Sequence, residues 1–453
     1  MELGEIYVQG SFMSNLNSSM LAELFQEETL ANRPIVLALS GGVDSVALLL
    51  LLVELRQRCP IKLSAIHVHH GLSDNADNWS EFVEQLCVQH QVPLMVSRVS
   101  LEPKSRVSME QQARDARYQA VAEYAPHRSL VCTAHHSGDQ AETLLLRLMR
   151  GAGSTGLSAI RQITAFPNSL GRAKALDLVR PLLSFSKQSL KDHVLASQAS
   201  WVEDESNRSD DYDRNFVRNR VLPLLASRWP QAADSICKSA RVLAQEADLL
   251  NDYLRDELAG LLQRGFLDQL CLDLQSLGNV SPAKQQALLR LFIFERIRQY
   301  PSLNRLEQIC QQMLNAKEDQ QPSVQIGPHV ARRHRNLLYI EPDYKFGSDP
   351  LSLLANREQE LQHPYFRQIC IRDSMSDETE YEIRYACLSQ RLKTSESGHR
   401  KPVKQILKEL GCPAWYRKTL PLIFLEDRLV AIADLLVDVE FKSRVVVSLT
   451  QRK

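Results

Sequence analysis

The chain has no excess of charge: 54 Lys and Arg balance 54 Asp and Glu over 453 residues, so bulk basicity offers no counterion-release drive toward nucleic acid. Any such binding must come from local patches. Its nine cysteines (Cys59, Cys87, Cys132, Cys237, Cys271, Cys310, Cys370, Cys387, Cys412) include no CxxC pair, which removes the usual zinc, iron-sulfur and redox-disulfide patterns. Isolated buried thiols are the simpler reading. Long hydrophobic runs are also missing, since the longest, Val46 to Val53, is too short to span a bilayer. The start, Met1-Glu2-Leu3-Gly4-Glu5, is acidic and has neither the basic nor the apolar segment of a signal peptide, so the expectation is a cytoplasmic protein. Internal repeats and low-complexity tracts are not found.

What is present is ordinary globular composition, 44% hydrophobic and 24% charged, in a chain long enough for about three domains. From about residue 33 to 150, short β-rich runs alternate with longer helical patterns. Strands are expected at Ile35–Leu39, Leu63–Val68, Leu94–Val99 and Leu130–Ala134, with helices near Val46–Arg58, Asn78–His90, Ser108–Tyr124 and Asp139–Arg150. This pattern predicts an α/β fold with a doubly wound parallel sheet, which binds ligands beyond the carboxyl ends of its strands. Residues 150 to 225 read as a loop-rich, then helical extension. A helical middle domain follows, with few strand signals between Trp229 and Ala316, and the β-rich tail suggests a small α+β domain. The expected divisions are an N-terminal extension (1–32), a catalytic domain (33–226), a helical domain (227–345), a linker (346–368) and a C-terminal domain (369–453).

The strongest local signal is Ser40-Gly41-Gly42-Val43-Asp44-Ser45, directly after the first strand and before an apolar helix. Adjacent glycines let successive N–H groups converge on an anion, and the helix N-terminus adds partial positive charge. Asp44 is a candidate to hold Mg2+ on a departing pyrophosphate. An isolated SGG would fit a capped turn equally well, but the strand-loop-helix context favours a phosphate loop. By contrast, Gly151-Ala152-Gly153-Ser154-Thr155-Gly156 satisfies GxGxxG and fails on context, because it follows a helix instead of a strand.

Other residues gather on the same sheet rim: His67, His69 and His70 after the second strand, and His135 and His136 after the fourth. Imidazoles there suit nucleotide or substrate contact better than zinc, for want of a matching carboxylate spacing. Arg114 and Arg117, three apart on one helix, are candidates for a phosphate, with salt bridges to Glu110 or Asp115 as the alternative. Asp139 and Glu142 are either helix caps or ligands for an ammonium group or Mg2+. Arg214 to Arg220, Arg332-Arg333-His334-Arg335 and His399-Arg400-Lys401 supply local positive charge, modestly in favour of an extended polyanion.

SGGVDS resembles the pyrophosphate-loop signature of the N-type ATP pyrophosphatases, which cleave ATP between the α and β phosphates and adenylate a carbonyl-type oxygen. Within that class, the ordered series HVHHGL (67–72), EQQARDARY (110–118), AHHSGDQAET (134–143), RGAG (150–153), RPLL (180–183), WVED (201–204) and RNFVRNR (214–220) resembles tRNA(Ile)-lysidine synthetase. The match is dense over the N-terminal half and weaker through CPAWYR (412–417) and Pro421-Leu422. Where many members of the family have Asp-Asp-Gln, this chain has Gly138-Asp139-Gln140.

The resemblance implies ATP and Mg2+ as cofactors, and tRNA(Ile) with a CAU anticodon and free L-lysine as partners, with a homodimer among the open assembly states. It implies phosphate contacts from Ser40, Gly41, Gly42, Val43, Asp44 and Ser45, with Asp44, Arg114, His135, Asp139 and Glu142 as catalytic candidates. The implied reaction adenylates the C2 oxygen of the wobble cytidine, after which lysine's amine expels AMP. Asp139, Glu142 or His135 would take the amine's proton. A tRNA thiolase would want paired cysteines, an amidating synthetase an N-terminal cysteine nucleophile, and a non-catalytic tRNA-binding protein would not need Asp44.

Overall fold

The computed structural model describes residues 16–25, 32–71, 73, 75–100, 109–167, 169–205, 209–316, 320–343 and 349–451. Most of the expected N-terminal extension, the expected helix start at Ser108, and Leu72 of the histidine motif lie outside these residues. The chain forms two compact units, 1–250 and 251–453, and the division falls within one long helix.

The first unit opens with α1 (Ser18–Phe25), then alternates β1 (Ile35–Ala38), α2 (Val43–Arg58), β2 (Leu63–His69), α3 (Ala76–Gln89), β3 (Leu94–Arg98), α4 (Met109–Tyr124), β4 (Leu130–Cys132) and α5 (Ser137–Met149). After these come α6 (Ser154–Leu157), β5 (Ile163–Ala165), α7 (Ser169–Ala173), β6 (Asp177–Val179), α8 (Lys187–Ala196), α9 (Asp213–Phe216), a π-helical turn Val217–Val221, α10 (Leu222–Arg228) and α11 (Ala232–Leu261). The sheet order is β3-β2-β1-β4-β6-β5, parallel except for β5 against β6. Successive side chains of β1 explain the layering. Ile35, Leu37 and Leu39 join a core with α2, α3 and α8, while Val36 joins the opposite core with Val121 and Ala125 at α4. The expected alternation is therefore present, and β5 and β6 extend it where only loop and helix were expected.

Helix α2 is apolar nearly all round, with Val46 to Leu52 buried, because it is covered by the sheet on one side and by α1 and α8 on the other. Its burial fixes the loop that precedes it. No helix among the described residues is long and apolar enough to cross a membrane.

The second unit adds β7 (Leu262–Arg264), β8 (Leu270–Asp273), α12 (Leu274–Gly278), α13 (Pro282–Ile297), α14 (Leu303–Asn315), β9 (Ser323–Ile326), β10 (His329–His334) and β11 (Leu337–Pro342). The helices pack on an antiparallel sheet of order β7-β8-β11-β10-β9. The helical region is thus accompanied by strands that its sequence did not announce. The tail holds β12 (Leu351–Leu354), β13 (Glu358–Glu360), β14 (Phe366–Asp373), β15 (Glu380–Arg384), β16 (Arg391–Leu392), β17 (Lys401–Pro402), α15 (Val403–Glu409), β18 (Leu422–Leu425), β19 (Arg428–Ile432), β20 (Leu436–Val437) and β21 (Val445–Gln451). Here the linker expectation is corrected. Within the described part of that stretch, 349–368, β12 pairs with β15 and β13 with β14, so these residues contribute strands to the sheets of the tail.

Candidate active site

The loop between β1 and α2 is shaped by its glycines and serines. Gly41 has φ +89°, and a Cβ there would meet Val202 Cγ2 at 2.9 Å and Val83 Cγ2 at 3.1 Å. Glycine is required by both conformation and space. The Ser45 hydroxyl donates to Gly42 O at 2.9 Å and accepts from Gly41 N at 3.1 Å, and it lies 3.1 Å from Ser40 Oγ. Gly42 caps α2 without a side-chain acceptor, so the first-turn amides keep donors for an anion. From the far end of the domain, Val202 N donates to Gly41 O at 3.0 Å and backs the loop.

Asp44 sits in the first turn of α2. Its Oδ1 is buried without a hydrogen-bond partner among the described residues, and its Oδ2 lies 3.8 Å from His136 Nε2. Burial raises its pKa, partly offset by the positive charge available at His136, Lys187 and Arg218. An orphaned buried carboxylate oxygen beside a phosphate-sized loop fits a hard cation such as Mg2+, which takes oxygen ligands.

Helix α5 faces this loop with its N-terminus, and His136 is its cap. Gly138 N donates to His136 Nδ1 at 2.9 Å, and His136 N donates to Asp139 Oδ2 at 2.9 Å, a reciprocal capping box. Because Nδ1 accepts, the ring proton of neutral His136 is on Nε2, directed toward Asp44 and toward Asp139 Oδ2 at 3.7 Å. A Cβ at Gly138 would come within 2.6 Å of His136 Cε1. In this chain the imidazole occupies the space that a side chain at 138 would need.

Asp139 and Glu142 are buried and paired. Arg214 reaches Asp139 Oδ1 at 2.6 Å and Glu142 Oε2 at 2.8 Å, while Arg218 reaches Glu142 Oε1 at 2.6 Å and Asp139 Oδ1 at 3.5 Å. Spacing of i, i+4 across α9 and the π-helical turn puts both guanidinium groups on one face. Burial alone would raise the Asp139 pKa, but His136, His135 and Arg214 outweigh it and hold the carboxyl below its usual range. The arginine-rich segment expected to meet a polyanion thus spends two of its cations on this pair. Arg220 pairs with Asp210 at 2.7 Å. The other basic clusters are also partly internal. Arg333 donates to Met313 O at 2.5 Å and Ala316 O at 2.9 Å, Arg400 faces Asp438 at 3.5 Å, and Lys401 binds Glu409 at 2.9 Å.

The histidines divide by partner. His67 Nδ1 is 2.9 Å from Leu39 O, and His69 is 3.3 Å from Asp77. Among the described residues, both buried ring nitrogens of His70 have no hydrogen-bond partner, and burial, with Arg117 nearby, pushes its pKa down to about 4. His135 is 2.9 Å from Thr133 Oγ1 and is pushed down to about 3 by burial, with Asp139 opposing the shift and Arg180, Arg214 and Arg114 adding to it. Arg114 stacks on Tyr118, 5.5 Å from the ring centroid, and Asp115 accepts from Gln111 at 2.7 Å instead of pairing with Arg114. The GxGxxG look-alike follows α5, as its context implied, and Arg147 ties it down through Gly156 O and Ala159 O at 2.8 and 2.7 Å. Sequence reasoning missed Val202 as the loop's support, Lys187 as a cation beside Asp44, and His136 as a link between loop and α5. Only the doubled histidine offered a signal.

Comparison with known proteins places these elements in a family context. A model of the PP-loop domain matches residues 13–225, a TilS substrate binding domain matches 272–339, and a TilS substrate C-terminal domain matches 381–446. The chain is 36% identical over 425 residues to the tRNA(Ile)-lysidine synthase of Serratia proteamaculans, covering 92% of this chain and 94% of that protein. It is 37% identical over 421 residues to that of Shigella flexneri, covering 91% and 94%. A third relative, from Escherichia coli O157:H7, is 37% identical over 414 residues, covering 90% and 93%.

Proposed function

As the chain belongs to the tRNA(Ile)-lysidine synthase family, we propose that it joins free L-lysine to C2 of the wobble cytidine of a CAU-anticodon tRNA(Ile), through an adenylated base, releasing AMP and pyrophosphate. The observation that carries this reading is a phosphate-shaped loop with an unpartnered Asp44 oxygen, facing a buried cluster of two carboxylates and two guanidinium groups.

In the first step the cytidine O2 attacks the α-phosphate of ATP, the bond to the bridging oxygen breaks, and pyrophosphate leaves. Loop amides of Ser40 to Ser45 and the α2 N-terminus would meet the phosphate charge, and Arg114 would add a cation for the leaving group. Asp44 would hold Mg2+, which neutralises charge on pyrophosphate. His136 Nε2 lies 3.8 Å from Asp44 Oδ2 and 3.7 Å from Asp139 Oδ2, facing both carboxylates.

In the second step lysine's neutral ε-amine attacks C2 and AMP departs. A free amino acid carries both signs of charge, and the cluster offers both: Asp139 and Glu142 for an ammonium group, Arg214 and Arg218 for a carboxylate. Such a ligand would exchange with the internal pairs. His135 is a poor general base, because an imidazole pushed down to about 3 holds a proton weakly at neutral pH. It serves as a neutral hydrogen-bonding partner, while Asp139 and Glu142 hold the amine by charge. Such a substrate implies action in the cytoplasm.

The test is incubation of the protein with ATP, Mg2+, labelled lysine and CAU tRNA, followed by nucleoside analysis. Label in a modified cytidine is expected, together with AMP. ATP cleavage without transfer of label to tRNA would refute the assignment of substrate.

A further inference from the structure

The second unit contains a cavity of about 320 Å³ lined by Gln321, Ser323, Arg332, Ala414, Trp415 and Lys418, at the small end of the range for ligand sites. Its walls are built from β9, β10 and the turn after Gly411. Ser323 lies directly across from Arg332 in the β9–β10 register, so both side chains rise from the same face of the sheet. The Arg332 guanidinium stacks on Trp415, 5.6 Å from the ring centroid. Trp415 is itself wedged edge-on against Tyr339 at 5.4 Å and His334 at 6.1 Å, which makes it a rigid wall. Arg417 grips Cys412 O at 2.9 Å and closes the turn that presents Lys418.

The cavity concentrates charge of one sign. Arg332 and Lys418 both line it, and neither forms an ion pair among the described residues. Among the described residues, no carboxylate lines the cavity. The nearby carboxyl of Glu341 is buried and accepts the Tyr416 hydroxyl; burial pushes it up to about 7, with the charges of Arg332 and Arg296 acting in the opposite sense.

We propose that this cavity holds one phosphate of the tRNA backbone together with its nucleoside, as a recognition site separate from the catalytic centre. The inference rests on the tRNA reading above. Arg332 offers a planar donor fork already stacked on an aromatic ring, and Lys418 adds a second cation for the same anion. The Ser323 hydroxyl and the Gln321 amide supply the neutral donors and acceptors that ribose hydroxyls require. Aromatic and guanidinium planes suit a base that has left its stack.

The full-length Arg332→Gln/Lys418→Gln variant tests this by tRNA binding measured across a series of potassium chloride concentrations. Affinity for CAU tRNA should fall about tenfold, and the slope of log affinity against log salt should flatten by about 1 to 2. The apparent KM for tRNA should rise while the rate at saturating tRNA stays the same. Ser323→Asp, an exposed position whose change keeps both cations, should weaken tRNA binding at least as much. Unchanged tRNA affinity in both variants overturns the proposal. So does loss of AMP binding, probed with AMP alone, when tRNA affinity is unaltered, because the cavity would then serve a free nucleotide. If the wild-type protein binds tRNA but forms no lysidine, the functional assignment fails, and the tRNA affinities of the variants still decide the cavity.

Discussion

Glu142→Gln separates the lysine step from the ATP step. The Glu142 carboxylate receives Arg214 Nε at 2.8 Å, Arg218 Nε at 2.6 Å and Arg218 Nη2 at 3.0 Å, and the residue is only 1% exposed. The amide keeps the volume and one acceptor oxygen, but it turns an NH2 group toward guanidinium donors. Removing one partner of a fully buried ion pair costs about 3–5 kcal/mol. Here the arginine side chains keep about a quarter of their exposure and Arg214 still holds Asp139 at 2.6 Å, so solvent and the remaining acid reduce the cost to about 2 kcal/mol. For a unit of this size that lowers Tm by about 4–8 °C and leaves it folded at 25 °C. Neutralising a carboxylate that faces a substrate ammonium should raise the lysine KM about 10- to 100-fold, while adenylation, whose nucleotide carries no cation, continues. The assays are thermal unfolding, tRNA-dependent pyrophosphate release without lysine, and lysidine formation against lysine concentration. Parallel loss of both chemical steps would place Glu142 with Asp44 on the metal and refute the argument. An unchanged Tm would show that the arginine pairing does not operate in solution.

Asp44→Asn should abolish pyrophosphate release while Tm holds or rises slightly, because burial disfavours the charge being removed; a melt and a pyrophosphate assay on one sample check both halves. Gly41→Ala forces a side chain into a backbone with φ +89° and to within 2.9 Å of Val202, a strain of about 2–3 kcal/mol, and ATP affinity should drop at least tenfold by calorimetry. His70 binds its proton at about 4 when folded and near 6.5 when unfolded. Stability is therefore unaffected above pH 6.5 and falls as pH drops from 6.5 toward 4, and His70→Asn should flatten urea-measured stability in that window by up to one proton. A variant with the wild-type pH slope would show that His70 is hydrated.

The strands β1 to β4 were legible because each is an apolar run ending at a glycine, a histidine pair or a polar turn, with an amphipathic or apolar helix behind it. Their observed ends fall within two residues of expectation. Strands β5 and β6 were not, since three residues each give no periodicity, and their pairing, β6 on β4 and β5 on β6, is supplied by the fold. The same holds for β13, whose Glu358-Gln359-Glu360 carries no apolar signature and is a strand by backbone pairing to β14. Polarity of that kind was read as a linker. A truncation near Ile369, which the linker reading would suggest, cuts through β14 and its pairing with β21, so it would damage the tail sheet instead of releasing a domain.

At the candidate site, local geometry was readable and long-range charge pairing was not. The loop 40–45 lies within one turn of chain, so its residue types imply its shape. Arg214 and Glu142 stand 72 residues apart, and nothing in either segment names the other. Helical spacing did put Arg214 and Arg218 on one face, but a face of two arginines suits buried carboxylates as well as phosphates. Burial decides between them. A carboxylate as enclosed as Glu142 would be prohibitively costly without a partner, so the inward face had to be claimed by cations. That reasoning also explains why a neutral total charge is compatible with a polyanionic substrate. Cations that pair internally at the active site and along the tail are unavailable to RNA, and where two without a carboxylate partner among the described residues share a cavity, as Arg332 and Lys418 do, a phosphate can be taken up.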